Sequence, residues 1–351
     1  MAQSYHPLLG LYLARLREFY RQPARIFWVY GFPTLLALGL GLAFRNPSKE
    51  EVPVDLVRNA DSPAIEKALR APEAGVIRLR VEDEAEALRR LTTGKAPLVV
   101  VPGPSGSVTY RFDPTRPEAT SARAAVDQVL QRAAGRVDPI RTTDVPVTEL
   151  GSRYIDFLIP GLIGQNTMGG GLWGVGFLIV NFRIAKLLKR FMATPMPRRD
   201  FLLAILGARL TFLIPDVAVL LALGVGIFQM PIRGSLLLVC VVEVVGALAF
   251  SGIGLLIASR AKTTETVSGL MNLVMLPMWI FSGLFFSSER FPDAFQPFIQ
   301  ALPLTQLLNA LRAVMLEGAG WTSPVVVVAL GVLGAYAIGT FALALRIFRW
   351  Q

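Results

Sequence analysis

Three ionisable residues lie inside long apolar segments of this 351-residue chain and are the first candidates for chemistry. Arg209 and Asp216 share one segment, and Glu243 lies in the next. Ionisable groups at membrane depth are costly and often mark an ion or substrate path. At a helical rise of about 1.5 Å per residue, Asp216 and Glu243 both fall in the outer halves of their segments and could face each other or a polar cavity. The alternative is hydrogen bonding between helices, with at least one group neutral.

A second polar group interrupts the glycine-rich stretch PGLIGQNTMGGGLWGVGF. Gln165, Asn166 and Thr167 lie in its middle, and small residues around them permit close helix approach or a dimer seam. Two interpretations stay open: plain helix packing, or the lining of a translocation path. In the second interpretation, Asp216 and Glu243 belong to the same path.

Other chemistry is poorly represented. The single histidine, His6, excludes most histidine-based metal and triad chemistry, and the single cysteine, Cys240, excludes a disulfide within the chain. The only Gly-Lys pair, in TGKAP at 93–97, lacks the upstream glycine and the following Ser or Thr of a phosphate-binding loop. We therefore predict no catalytic residue, no metal site and no cofactor bound by this chain.

The loop KLLKRFMATPMPRRD (186–200) carries five basic residues and two prolines between two apolar segments. It is either a topology anchor or a docking element. Lys and Arg would suffice for an anchor, because basic loops stay in the cytoplasm. Apolar FMATPMP, held in a short proline-bounded turn, fits better as a knob that enters a groove of a partner.

Composition identifies the elements that position these groups. Hydrophobic residues make up 53% of the chain and charged residues 17%, with a mean hydropathy of +0.51, as expected for an integral membrane protein. About 20 apolar residues cross a bilayer as a helix. We predict an α-helical membrane protein with six transmembrane helices and an inserted α/β extracytoplasmic domain. The six segments are 26–44, 155–182, 201–229, 235–259, 267–287 and 322–345.

The distribution of basic residues predicts the orientation of the chain in the membrane. Residues 45–150 contain 16 basic and 16 acidic residues, so the net charge of +10 belongs to the membrane segments and their ends. The basic clusters alternate along six spans, which predicts that both termini are cytoplasmic and requires no nucleic-acid partner. The first span is expected to be a retained anchor, because no cleavage site follows LALGLGLAF. The clusters are Arg15 to Arg25, Arg183 to Arg199, Arg260 with Lys262, and Arg346 with Arg349.

Four regions follow. Residues 1–25 are predicted to form a cytoplasmic amphipathic helix at the membrane interface, and 26–44 the first span. Residues 45–150 alternate between strand and helix patterns, with a helix started by Ser62, and indicate an α/β layer structure. Residues 151–351 hold five further spans, the loop 183–200 and external half-helices at 288–318, where Pro292, Pro297 and Pro303 break the apolar pattern.

Nearly the whole chain resembles the membrane subunit of a type-2 ABC exporter, in the subgroup with a large external domain between the first two spans. Three stretches carry this resemblance: YIDFLIPGLIGQNT (154–167), RFMATPMPRRDFLLAILGARL (190–210) and FSGLFFSSERFPDAFQPFIQALPLTQLLNALR (281–312). The external domain is similar from VDLVRNADSP through GKAPLVVVP to YRFDPTRPEATSA.

The resemblance implies a permease of the bacterial inner membrane that pairs with a second copy or a paralogue and contacts lipid. Separate ATPase subunits would use ATP and Mg²⁺, and a periplasmic partner for the external domain stays open. Residues near 183–196 would form a coupling helix, although RIAKLLKRF lacks the acidic residues common in the family. The residues assigned to docking are Lys186, Arg190, Phe191, Met192, Thr194, Pro195 and Arg198.

The implied activity is ATP-driven export of an amphipathic, drug-like or lipid-like substrate from the cytoplasm or inner leaflet. Phe281, Phe285 and Phe286 would contribute to an outer hydrophobic constriction, or simply pack as interfacial aromatics. Two other functions remain: an ion-coupled secondary transporter that uses Asp216 or Glu243, and a non-transporting assembly or sensor protein that acts through its external domain.

Overall fold

The computed structural model describes residues 7–43, 52–71, 77–137, 151, 153–194 and 196–348. The chain divides into two compact units, one formed by Met1–Arg45 with Val147–Gln351 and the other by Asn46–Pro146. The second unit falls within the segment 45–150 that the sequence assigns to an inserted domain. The extracytoplasmic location of that unit stays a prediction.

Helices account for most of the described chain. Two π-helical segments continue them: Phe27–Gly31 joins α2 to α3, and Leu172–Phe177 joins α7 to α8. The helices are α1 (Pro7–Tyr20), α2 (Pro23–Ile26), α3 (Phe32–Ala43), α4 (Ser62–Leu69), α5 (Glu84–Thr92), α6 (Pro117–Ala133), α7 (Tyr154–Gly171), α8 (Leu178–Ile184), α9 (Leu187–Met192), α10 (Arg198–Gly226), α11 (Leu236–Ala258), α12 (Thr264–Phe281), α13 (Gln296–Ala301), α14 (Pro303–Glu317) and α15 (Pro324–Ile347).

Four helical stretches of the described residues are long and apolar enough to cross a membrane. They correspond to the first, third, fourth and sixth predicted segments, and they confirm a helical membrane protein. The second predicted segment is the interrupted run α7 to α8, and the fifth is the 18-residue helix α12. Six crossings therefore stay a prediction. The four stretches are Pro23–Ala43, Arg199–Gly226, Leu236–Ala258 and Pro324–Ile347.

The glycines of the second segment allow two helical backbones to touch. A Cβ atom at Gly171 would lie 2.5 Å from the Cβ of Phe250 in α11, and one at Gly254 would lie 2.8 Å from the carbonyl oxygen of Gly171. Such distances are far below van der Waals contact, so larger residues at either position would force α7 and α11 apart. Small residues at helix crossings serve the same purpose in membrane bundles generally.

The core of the helical unit is built around α7, α11 and α14. Leu158 and Ile159 of α7, Phe250 of α11, and Leu307 and Leu311 of α14 are all buried in one cluster. Eleven of the fifteen residues of α14 are buried. This helix lies in the stretch 288–318 that the sequence assigns to external half-helices, and it packs as part of the bundle core.

The described residues of the second unit form a four-stranded sheet in the order β2-β1-β3-β4. β1 pairs in parallel with β2 and β3, whereas β3 and β4 are antiparallel. Parallel strands require helical crossovers, and α4 and α5 supply them. The strands are β1 (Val52–Val57), β2 (Ile77–Glu82), β3 (Leu98–Pro102) and β4 (Val108–Phe112).

The alternating strand and helix pattern of residues 52–135 agrees with this unit element by element. One detail differs: the hydroxyl of Ser62 donates to the carbonyl oxygen of Asn59 at 2.8 Å, and Asp61 is the residue that precedes the helix. Ser62 thus closes a turn instead of capping α4. Pro63 lies in the first turn, where its missing N–H costs nothing.

The central strand carries a buried ion pair. Asp55 of β1 is 1% exposed, and its Oδ2 accepts from Nε of Arg90 in α5 at 2.7 Å. Its neighbours Val54 and Leu56 point to the opposite face, against α4 and α6. The pair therefore fixes α5 on one face of the sheet through the strand that lies in its middle.

Replacing Arg90 with Leu is expected to destabilise this unit by about 3 kcal/mol, because it leaves the Asp55 carboxylate buried and unpaired. Hydrogen exchange of the purified full chain, followed by mass spectrometry, should show amides of β1 and β3 exchanging about a hundredfold faster. The control is Arg89→Leu, since Arg89 pairs with Glu86 at the surface. Equal exchange in the two variants would contradict a stabilising role for the Asp55–Arg90 pair.

Candidate functional site

The connection between α8 and α10, residues 185–197, contains the short helix α9 and carries most of the predicted docking residues. Lys186, just before α9, has a left-handed backbone with φ of 56°, which is uncommon for a residue with a side chain. This conformation turns the chain sharply from α8 into α9. Pro197 then precedes the first residue of α10. We refer to residues 185–197 as the α8–α10 loop.

Two apolar residues anchor this loop on the bundle. Leu188 is 1% exposed, and the ring of Phe191 lies between Phe182 and Phe201, with ring centroids 6.0 and 5.4 Å away. The sequence assigned Phe191 to a partner's groove, and the structure places its ring against the loop's own helices. Its docking role stays a prediction.

The outer side of the loop is basic. Lys186, Lys189 and Arg190 are exposed, and Ile184 at the end of α8 is 49% exposed. Thr194 is exposed and its hydroxyl donates to the carbonyl oxygen of Phe191 at 2.6 Å. Of the other predicted docking residues, Pro195 and the side chains of Met192 and Arg198 lie outside the described parts of the chain.

Arg183 joins this loop to the next one. Its guanidinium donates to the carbonyl oxygens of Ala258 at 2.8 Å, Ser259 at 3.2 Å and Ala261 at 2.5 Å. These carbonyls end α11, where a cation also complements the helix dipole. Thr263 caps the following helix by accepting from the N–H of Thr266 at 3.2 Å. The two loops therefore form one connected surface.

A chain of buried polar groups crosses the middle of the bundle. Nη1 of Arg209 donates to Oδ2 of Asp216 at 2.9 Å, and Nη2 reaches the carbonyl oxygen of Thr167 at 3.3 Å. The hydroxyl of Thr167 donates to Oε2 of Glu243 at 2.5 Å. Asp216 and Glu243 thus bind different partners, and Arg209 lies between them. The chain links α10, α7 and α11.

Four buried side-chain atoms in this part of the bundle have no hydrogen-bond partner among the described residues. These atoms are Nε of Arg209, Oδ1 of Asp216, Oε1 of Glu243 and Oε1 of Gln165. A buried polar atom without a partner costs free energy, so native proteins usually satisfy it or use it. A donor or acceptor of a bound molecule could satisfy these four atoms.

A cavity of about 790 Å³ lies beside these groups within the helical unit. Gln165, Asn166, Arg209 and Asp216 line it, whereas Thr167 and Glu243 are buried outside its lining. The structure therefore brings three of the five predicted path residues to one cavity. Its walls are mostly apolar, and their aromatic residues include Phe19, Trp28, Phe32, Trp173, Phe212 and Trp279.

The predicted outer constriction is part of a cluster of phenylalanines. The ring of Phe281 contacts Phe291 and Phe298, with centroids 5.1 and 6.1 Å away, and Phe286 also contacts Phe291. Phe285 and Phe286 are 37% and 41% exposed. The rings form an interlocked group with an exposed side, which is compatible with a constriction or with plain packing.

Sequence reasoning missed Arg312 as a site residue. Its guanidinium lies 3.5 Å from the ring centroid of Phe157 and donates to the carbonyl oxygen of Gly283 at 2.6 Å. Gly283 has φ of +78°, and the next residue, Leu284, packs its carbonyl so close to Gly161 that a Cβ there would lie 2.8 Å away. Arg312 therefore ties the turn after α12 to α7. An arginine inside the apolar sequence LLNALRAV was the available signal.

Among the described residues, no group of three or more His, Cys, Asp and Glu side chains could hold a metal ion. The site is instead a cavity with apolar walls and a few buried polar groups, in a bundle of membrane-length helices. These features define a multi-pass helical membrane protein with an internal cavity.

The chain belongs to the ABC-2 family transporter proteins, which it matches over residues 24–346. This confirms the resemblance to ABC permeases that was noted in the sequence. Permeases of this kind work with ATPase subunits, and the family places the chain in a membrane.

Similar proteins include permeases and a larger transporter. The chain is 30% identical over 193 residues to ABC transporter G family member 20 of Dictyostelium discoideum, covering 54% of the chain and 26% of that protein. It is 27% identical over 206 residues to nodulation protein J of Rhizobium meliloti strain 1021, covering 57% and 75%. It is 28% identical over 128 residues to the inner membrane transport permease YhhJ of Escherichia coli K12, covering 35% and 33%.

The part of this chain that aligns with the Dictyostelium protein spans about a quarter of that protein's length. The part that aligns with nodulation protein J of Bradyrhizobium diazoefficiens USDA 110 spans 38% of that protein.

Replacing one member of the Arg209–Asp216 ion pair is expected to lower the free energy of unfolding more than replacing both members. Arg209→Met or Asp216→Leu alone should destabilise the bundle by about 3–5 kcal/mol, because each leaves one buried charge unpaired. The double variant should cost less than either single change. Unfolding of the purified chain in increasing mole fractions of SDS gives the double-mutant cycle, and additive effects would show that the pair is not coupled.

Replacing Arg312 with Leu is expected to loosen the turn at Gly283, since a charged hydrogen bond is worth about 1.5–3 kcal/mol. The buried Ser282 reports this opening after Ser282→Cys in a Cys240→Ser background. Maleimide labelling should become at least tenfold faster in the Leu variant and rise less in Arg312→Lys. Arg290→Leu, on the exposed part of the same segment, is the control, and an equal rate in it would contradict the role of Arg312.

Proposed function

We propose that this chain is the membrane subunit of an ATP-driven ABC exporter. It moves an amphipathic, drug-like or lipid-like substrate out of the cytoplasm or the inner leaflet, and a separate ATPase subunit supplies the energy. The observation that carries the proposal is the α8–α10 loop, a short helix that is fixed from inside and basic outside. Membership of the ABC-2 family supplies the class of machine.

A coupling element must be stiff, because a soft loop would absorb the motion of its partner. Leu188 and Phe191 fasten the loop to α8 and α10, and Lys186 sets its angle. What remains exposed is a basic and partly apolar surface. It fits a groove on the ATPase that offers acidic residues at its rim and an apolar floor.

Arg183 connects the end of α8, where the loop begins, to the end of α11. Because it binds the carbonyls at the end of α11, a force on the α8–α10 loop also moves the loop 259–263 and the start of α12. In an alternating-access cycle, closure of the ATPase would shift these helices together. Substrate would then leave past the phenylalanine cluster at Phe281, Phe285 and Phe286.

The proposed assembly has two permease chains, identical or paralogous, and two ATPase subunits. Both termini and the α8–α10 loop would be cytoplasmic, with the α/β unit on the outer side of a bacterial inner membrane. Basic residues at the helix ends support this orientation. The relative YhhJ is named as an inner membrane transport permease, which supports the location.

An ion-coupled secondary transporter is the second candidate, and the unpartnered Oε1 of Glu243 is the observation that favours it. In that mechanism Glu243 would exchange a proton or cation during transport, and no ATPase would be required. Its immediate partner, the hydroxyl of Thr167, is equally suited to a structural hydrogen bond. We therefore favour the ABC exporter.

Reversing the charge of the loop is expected to release the ATPase. The variant Lys189→Glu with Arg190→Glu should retain at least tenfold less of the ATPase subunit in co-purification with candidate ABC ATPases of the same organism, because two charge-assisted contacts become repulsive. Both side chains are exposed, so the bundle should remain folded.

Lys67→Glu with Lys95→Glu provides the matched control, because it makes the same charge change at exposed positions of the α/β unit. Equal retention in both variants would reject docking through this surface. Failure of the native chain to retain any ATPase would reject the exporter mechanism and direct attention to Glu243.

A further inference from the structure

We propose that the cavity lined by Arg209 and Asp216 binds a single-chain amphiphile with an anionic headgroup, taken from the cytoplasmic leaflet. The cavity lies among α1, the helix formed by α2 and α3, α7 and α10. The inference deepens the proposed function and rests on it for the side from which the ligand comes. Binding itself needs neither ATP nor the ATPase.

The size and walls of the cavity fit one apolar tail. A volume of about 790 Å³ lies in the range of sites for drug-sized ligands. Trp28 is 63% exposed and Phe32 is 42% exposed, so the wall formed by the first span is an open aromatic rim. Trp173 and Phe212 line the interior. A tail could therefore enter from the side, between the first span and the rest of the bundle.

Three charged residues in the lining of the cavity leave a surplus positive charge. Arg15, Glu18 and Arg25 all line it, and both guanidinium groups contact the single Glu18 carboxylate, Arg25 at 3.6 Å. Arg25 keeps 38% of its side chain exposed, and its contact with Glu18 is long. The arrangement attracts an anionic headgroup and repels a cationic one.

The lining also offers polar atoms that have no hydrogen bond among the described residues. Nε of Arg209 is a free donor, and Oδ1 of Asp216 and Oε1 of Gln165 are free acceptors. Arg209 and Asp216 are 6% and 3% exposed, so water from the surface does not satisfy them readily. A hydroxyl or amide of a ligand both donates and accepts, and it would satisfy both kinds of atom.

Two glycines of α7, Gly169 and Gly170, leave space in the lining of the cavity. Gly169 lines the cavity, and a Cβ atom built there meets no atom within 4 Å. At Gly170, by contrast, a Cβ atom would lie 2.2 Å from the guanidinium of Arg209, so that glycine allows the arginine to lie against α7. A leucine at position 169 would therefore fill the cavity without disturbing the ion pair.

The experiment uses the full-length chain in lipid nanodiscs and three photoactivatable probes of equal chain length. These are a lysophosphatidylglycerol, a lysophosphatidylcholine and an alkyl trimethylammonium, each with a diazirine in its tail. Labelled peptides are identified by mass spectrometry. We expect the anionic probe to label α3, α7 and α10 most strongly, and the cationic probe least.

Two variants test the space in the cavity and its surplus charge, each with a matched control. Gly169→Leu should lower labelling by the anionic probe at least fivefold, whereas Gly331→Leu, at a position of α15 that also has open space, should leave it unchanged. Arg25→Gln should reduce the preference for the anionic over the zwitterionic probe about fivefold, the effect of one surface charge. Arg21→Gln, exposed and outside the lining, is its control.

Equal labelling of Gly169→Leu and Gly331→Leu, or equal labelling by all three probes, would overturn the inference. So would closure of the cavity by a second copy, seen as a disulfide between two chains that carry Trp28→Cys in a Cys240→Ser background. Loss of the ATPase interaction with labelling intact would reject only the exporter. Retention of the ATPase without labelling would reject only this site.

Discussion

The helical unit depends on one constraint: a polar group placed among apolar helices must find its partner inside the protein, because the surroundings offer none. Arg209 shows how the constraint organises the bundle. Its guanidinium reaches both a carboxylate on its own helix and the backbone of α7, and Gly170 leaves the room for it. Thr167 then continues the contact to Glu243 of α11. Three helices are thereby held in one register by polar contacts.

The same constraint operates at both ends of the bundle with different chemistry. Arg183 binds the carbonyls that terminate α11, and Arg312 binds the carbonyl of Gly283 at a left-handed turn. In both places an arginine satisfies backbone acceptors where a helix stops. Each of these turns is therefore tied to a helix by an arginine, which suits a protein whose proposed work is to open alternately to two sides.

The buried polar atoms that the described part of the bundle leaves without a hydrogen bond are as informative as those that it pairs. Nε of Arg209 and Oδ1 of Asp216 are unpartnered beside an aromatic cavity, while the pair itself stays bonded. A purely structural pair would be more stable if fully enclosed by partners. In the α/β unit, Asp55 also has one oxygen without a hydrogen bond among the described residues, since only its Oδ2 binds Arg90. Function is sought in the helical unit because Arg209 and Asp216 line a cavity.

The sequence by itself determined the membrane class, the bounds of most apolar helices to within a few residues, and each strand and helix of the α/β unit, because hydrophobic periodicity and turn residues are local signals. It also identified Gln165, Asn166 and Asp216 as polar residues worth attention.

Only the tertiary structure decided how these residues are partnered. It packed Phe191 against Phe182 and Phe201, separated Asp216 from Glu243, and gave Arg312 its place at Gly283. These contacts join residues far apart in the chain, or depend on which face of a nearly uniformly apolar helix turns inward. A helix that is hydrophobic on every side carries no periodic signal for that choice, so packing against its neighbours decides it.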